Sequence, residues 1–135
     1  MEISGLVEYE RLFKLDLLHP ATDEPVGVVF QIRSAGSKEA KAVLRRHIDE
    51  NAELAQNGKT ASHAVRERQE AEKAASYIAS WDWGENEWQG EKPVLTMEKA
   101  AEILQAEGWI WAQVTKAATK IANFTQALEK DLKKP

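Results

Sequence analysis

Cysteine is absent from this chain of 135 residues, which excludes disulfides, thiol nucleophiles and thiolate metal sites together and is compatible with a reducing compartment. Histidine is scarce. His19, His47 and His63 are the only three, and no two stand three or four residues apart, the spacing that sets two ligands on one helix face. His47 and Glu50 share a face, but so common a pair does not define a metal site, and His47 reads as an inner-face residue of a helix. Long apolar runs are also missing: residues 26–32 fall far short of the ~20 residues that cross a bilayer. No basic segment followed by an apolar run marks a signal peptide. The expectation is a soluble, intracellular protein with no membrane partner.

An excess of positive charge is lacking too. The net charge is -4, whereas a protein that holds a phosphate backbone needs clustered cations, so no nucleic-acid partner is expected. The basic pairs Arg45-Arg46 and Lys133-Lys134 sit among acids and read as solvated helix faces. Gly84 and Gly90 lack the strand, glycine-rich loop and helix that cradle a phosphate. Glu85 and Glu87 are close enough for acid–base work, yet nothing nearby implies the dry pocket that shifts a carboxyl pKa, and they read as solvated loop acids. No nucleophile, base or metal set assembles, so the sequence predicts a protein without catalytic residues, metal or cofactor, and not an enzyme.

What is present fits one domain. With 43% hydrophobic and 30% charged residues the chain is not compositionally disordered. Many of the apolar residues are alanines, which favour helix but bury little area, so the core is expected to be thin. Residues 8–18 alternate Phe13, Leu15 and Leu17 with Lys14, Asp16 and Leu18, the period of a strand with one buried face. Val26, Val28, Phe30 and Ile32 repeat that pattern after a turn marked by Pro20, Asp23, Pro25 and Gly27. Together they predict a β-hairpin within residues 1–34, whose apolar face must be covered by elements later in the chain.

Two helices are predicted over residues 37–80. Ser37 can cap the first, over residues 38–56, with Ala40, Val43, Leu44, His47, Ile48, Leu54 and Ala55 inward and Asn57-Gly58 ending it. The second starts near Thr60 or Ser62 and is expected to reach Ser80 on a thin stripe of Ala64, Val65, Ala71, Ala75, Ile78 and Ala79. It either projects an exposed surface or takes its packing from a neighbour. After a connector over residues 81–95, Thr96 can cap a helix through Glu107, with Ala100, Ala101 and Leu104 buried; Gly108 interrupts. A last helix keeps its spacing through Trp111, Val114, Ala118, Ile121, Leu128 and Leu132, with Lys130, Lys133 and Lys134 complementing its dipole before Pro135. The fold class predicted is α+β, mostly α: an N-terminal hairpin packed on a bundle of about four helices.

The connector is the informative stretch. Trp81, Trp83 and Trp88 lie in a polar, glycine-punctuated segment, an unusual place for the side chain with the largest apolar area. They can stack on sugars or nucleobases, anchor a protein interface, or staple the connector onto a small core. Alternation sets Trp81 and Trp83 on one side of an extended piece and argues for core; Trp88 is the freer one. Trp109 and Trp111, about 200° apart on a helix, cannot both face inward.

Several short pieces form a pattern: HPATDEPVGVVFQIRS at residues 19–34, WDW at 81–83, WQGEKPVLT at 88–96, and Asn123-Phe124. In that order they resemble the tail assembly chaperones of long-tailed bacteriophages. The resemblance implies a non-enzymatic protein of the bacterial host cytoplasm. It would coat the long, helical, aggregation-prone tape measure protein, hand it over as tail tube protein polymerises, and be absent from the finished particle. It also implies Trp88, Trp111 and Phe124 as partner contacts, with Trp81, Asp82, Trp83, Gly84, Gly90 and Glu91 shaping the connector; a homo-oligomer is compatible with it. Two other readings stay open: a minor structural protein of a phage particle, from tail or head-tail completion, and a small-ligand or carbohydrate-binding domain built on the Trp cluster.

Overall fold

Alternating burial along Leu12–Leu18 (β1) and Pro25–Arg33 (β2) sets up an antiparallel hairpin in which Leu17, Val28, Phe30 and Ile32 point into the core. The register pairs Phe13 with Ile32 and Leu15 with Phe30, then slips between Asp16 and Leu18 before Leu18 meets Pro25. The computed structural model describes residues 2–125. The expectations placed on Leu128, Lys130, Leu132, Lys133, Lys134 and Pro135 lie outside the described residues.

The next element is a 19-residue helix, Lys38–Gln56 (α1), started by Ser37, whose Oγ accepts the Ala40 N–H at 3.3 Å. Asn57 caps its far end and Gly58, at φ +69°, takes the left-handed turn out of it. Its inner face is narrower than the spacing predicts. Ala40, Val43 and His47 are buried, whereas Leu44 is 46% and Ile48 58% exposed, and Ala55 is exposed as well. The partner helix His63–Ala75 (α2) meets α1 at His47, Glu50 and Asn51 and leaves Leu44 and Ile48 uncovered.

That meeting is largely polar. His47, 5% exposed, hydrogen-bonds Glu72 at 2.8 Å, and Arg68 bonds both Glu72 at 3.2 Å and Glu50. Gln69 donates to Glu50 at 3.1 Å and to Asn51 at 2.8 Å. The Gln69 amide first, and the Arg68 guanidinium after it, hold the Glu50 carboxyl below its ordinary range.

The second helix does not reach Ser80. It ends at Ala75, and Ile78–Asp82 becomes a third strand (β3), antiparallel to β2, with Ile78 opposite Ile32, Ser80 opposite Gln31 and Trp81 opposite Phe30. The alanines in AASYIAS suit a helix, but docking onto β2 decides the outcome. Arg33 fixes the switch: its backbone N–H donates to Tyr77 at 2.6 Å, and its guanidinium reaches the Ser76 and Ile78 carbonyls at 3.0 and 3.2 Å. The sheet therefore has the order β1-β2-β3, and the fold is α+β, with three antiparallel strands and four α-helices among the described residues.

Two helices close the core. Met97–Ala106 (α3), capped by Thr96, whose Oγ1 accepts the Lys99 N–H at 3.0 Å, packs on α2, whose Ala71, Ala74 and Ala75 are buried. The thin alanine stripe of α2 thus takes its packing from a neighbour; small side chains allow that close approach. Glu107, at φ -117° and ψ 78°, breaks the helix before Gly108–Thr119 (α4). The long last helix expected from spacing stops there. Lys120 is extended, Asn123 Nδ2 donates to the Ala117 carbonyl at 3.0 Å, and Ile121–Phe124 forms a single 3-10 turn before Thr125 bridges to Val7. Ile121 accordingly lies outside, 59% exposed. Among the described residues no helix is long and apolar enough to cross a membrane.

Candidate functional site

The connector leaves β3 by a tight turn. Gly84 sits at φ +57°, its amide donates to Asp82 Oδ1 at 2.9 Å, and a Cβ there would fall 2.8 Å from the Gly27 carbonyl oxygen. Only glycine permits both the left-handed backbone and this approach to β2. Asn86 then ties the segment to the hairpin, donating to the Val26 carbonyl at 2.9 Å. Trp88 and Glu91 exchange backbone hydrogen bonds around Gln89 (φ 53°) and Gly90 (φ 83°), the two left-handed residues of a tight hairpin turn.

Trp81 and Trp83 face the same side. Their rings meet edge to face at 5.7 Å, and both lie on Phe30, at 5.5 and 6.2 Å. Trp83 is 7% exposed, whereas Trp81 is half-buried and donates its indole N–H to the Pro93 carbonyl at 3.0 Å. This pair extends the core across the sheet edge.

Trp88 is neither free nor fully buried. Its Nε1 donates to Glu107 Oε2 at 2.9 Å, and Lys99 sets its ammonium 5.6 Å from the ring centroid. Trp109 donates to the other oxygen of the same carboxylate, Oε1, at 3.2 Å. One glutamate, placed at the break between α3 and α4, thereby fixes two indoles. Between them and Trp83 lies a cavity of about 380 Å³, bounded also by Glu87, by His19 of the hairpin turn, and by Ile110.

The other contacts implied by the resemblance lie apart from it. Trp111 is half-buried in a separate groove beside His63, Arg66 and Glu70 of α2. Ile110, between the two tryptophans, is the residue that points inward, so Trp109 and Trp111 flank it with neither fully buried. Phe124 is 1% exposed, held by the 3-10 turn with its ring in the core. Glu107 and Trp109 were not singled out by the sequence as site residues. Glu107 reads there as the end of a helix, and nothing in the spacing says that a carboxylate at that break turns back toward Trp88.

Among the described residues no group of three or more His, Cys, Asp or Glu side chains is placed to hold a metal ion. Comparison of the chain with known protein families, with curated proteins and with solved structures finds no match in any of the three.

Proposed function

We propose that this chain is a non-enzymatic assembly chaperone of a long-tailed phage, holding the tape measure protein in the bacterial host cytoplasm, with the tail tube protein as a second partner. One observation carries the reading: α1 presents Leu44 and Ile48, one turn apart and 46% and 58% exposed, beside the small side chains of Ala52 and Ala55. A helix with an uncovered apolar stripe is the surface that an amphipathic helical client can lie against. The stripe is supported from behind by hydrogen bonds and ion pairs rather than by a large apolar core, so α1 keeps its shape without burying those residues.

The test is co-expression with the tape measure protein encoded nearby, followed by size-exclusion chromatography. The proposal predicts that the two elute together and that the client stays in solution, and that a Leu44→Asp/Ile48→Asp change on the exposed stripe weakens the association. An unassociated, aggregating client contradicts it.

A further inference from the structure

We propose that the cavity between the hairpin turn and the start of α4 binds an organic cation, the guanidinium or ammonium head of a basic side chain. Three indoles and two carboxylates bound it, Trp83, Trp88, Trp109, Glu87 and Glu107, and among the described residues no lysine or arginine lines it. Aromatic faces attract cations through their quadrupole, and the attraction grows where water is excluded. Lys99, outside this lining, already uses the Trp88 ring in that way at 5.6 Å.

The site is built in advance. Both oxygens of Glu107 are engaged by indole N–H groups, at 2.9 and 3.2 Å, so Trp88 and Trp109 are fixed before anything enters. Glu87 has no hydrogen-bond or ion-pair partner among the described residues, and its carboxylate is available as a counter-charge. His19 Nδ1 accepts the Ala21 and Thr22 amides at 3.1 and 3.4 Å, which ties its ring to the hairpin turn at the rim of the cavity. These features select a positively charged head group over a bare apolar ligand. The site is independent of the exposed face of α1, so failure at one leaves the other standing.

The five tryptophans give five indole N–H signals, assignable by single Trp→Phe variants, and these report on the cavity directly in proton–nitrogen NMR spectra. N-acetyl-arginine amide and N-acetyl-lysine amide are titrated against N-acetyl-citrulline amide, which matches arginine in shape without its charge. The expected result is saturable shifts at Trp83, Trp88 and Trp109 but not at Trp111, produced by the cations and not by citrulline. Glu87→Gln, at an exposed position that leaves the fold intact, is expected to weaken them about threefold, in line with a partly screened charge. A short peptide with a central arginine, compared with the free amides, shows whether the cation is read as part of a polypeptide: tighter binding of the peptide supports that source, and equal binding points to a free small cation. Identical shifts with citrulline, shifts that extend to Trp111, no shifts at all, or a Glu87→Gln variant that binds unchanged would each overturn the proposal.

Discussion

Gln113 pairs with the backbone of Leu18 on both sides: the Leu18 N–H donates to Oε1 at 2.9 Å, and Nε2 donates to the Leu18 carbonyl at 2.9 Å. A side-chain amide from α4 thus stands in for a neighbouring strand at the edge of the sheet, beside the register slip in β1. Unpaired strand edges invite pairing with other chains, and a device that satisfies one both joins helix to sheet and blocks that route.

Replacing Gln113 by alanine, which suits a helix, removes the two hydrogen bonds without harming α4 itself. We expect a loss of about 1 kcal/mol, the net worth of such bonds at a partly exposed site. Urea denaturation of Gln113→Ala against the parent chain measures it, and an unchanged midpoint refutes the role given to this pair.

Acid should loosen the junction of α1 with α2. The Glu50 carboxyl is held below its ordinary value of 4.5, first by Gln69 and then by Arg68. A carboxyl with a depressed folded pKa contributes stability that is complete above its unfolded value and is lost as pH falls through the folded one. The window therefore lies below pH 4.5. Denaturation midpoints measured across that window should fall less steeply in Gln69→Ala than in the parent chain.

The two turns of the connector separate strain from crowding. Gly84 and Gly90 both have positive φ, at 57° and 83°, but only at Gly84 would a Cβ meet backbone, 2.8 Å from the Gly27 oxygen. Gly90→Ala should cost about 1–2 kcal/mol from the left-handed conformation alone. Gly84→Ala should cost clearly more, because either β2 or the turn must shift. Equal losses in thermal or urea unfolding would show that the close approach to Gly27 has no energetic weight.

The hairpin, the caps at Ser37 and Thr96 and the break near Gly108 were legible in the sequence, with Ser62 one of the two starts offered for α2, because each rests on local chemistry: alternation, a side-chain oxygen before a helix, a residue that ends one. The third strand was not. Ala79 and the alanines just before the strand favour helix in isolation, and only the edge of β2, far away in sequence, makes the extended form better. Leu44 and Ile48 read as inner residues for a similar reason, since helical spacing defines an apolar side but not how much of it a neighbour covers. The stop after Thr119 depends on Asn123 reaching back to Ala117, a contact with no periodic signature.

The site divides along the same line. The sequence marks Trp81, Trp83 and Trp88 by their setting and expects the first two to share a side, which follows from two-residue spacing in an extended segment. That Glu107 grips Trp88 and Trp109 together is a tertiary fact, nineteen residues apart for the first of them, and the cavity exists only because of it.

The most direct measurement of the proposed chaperone role compares the parent chain with a Leu44→Asp/Ile48→Asp variant in co-expression with the tape measure protein. Both positions face solvent, so the variant should keep its stability within about 0.5 kcal/mol. The account predicts that the parent chain co-elutes with a soluble client and that the folded variant does not. Equal co-elution by both would contradict the claim that α1 holds the client; no association by the parent, with the chain recovered from purified phage particles, would contradict the chaperone reading itself.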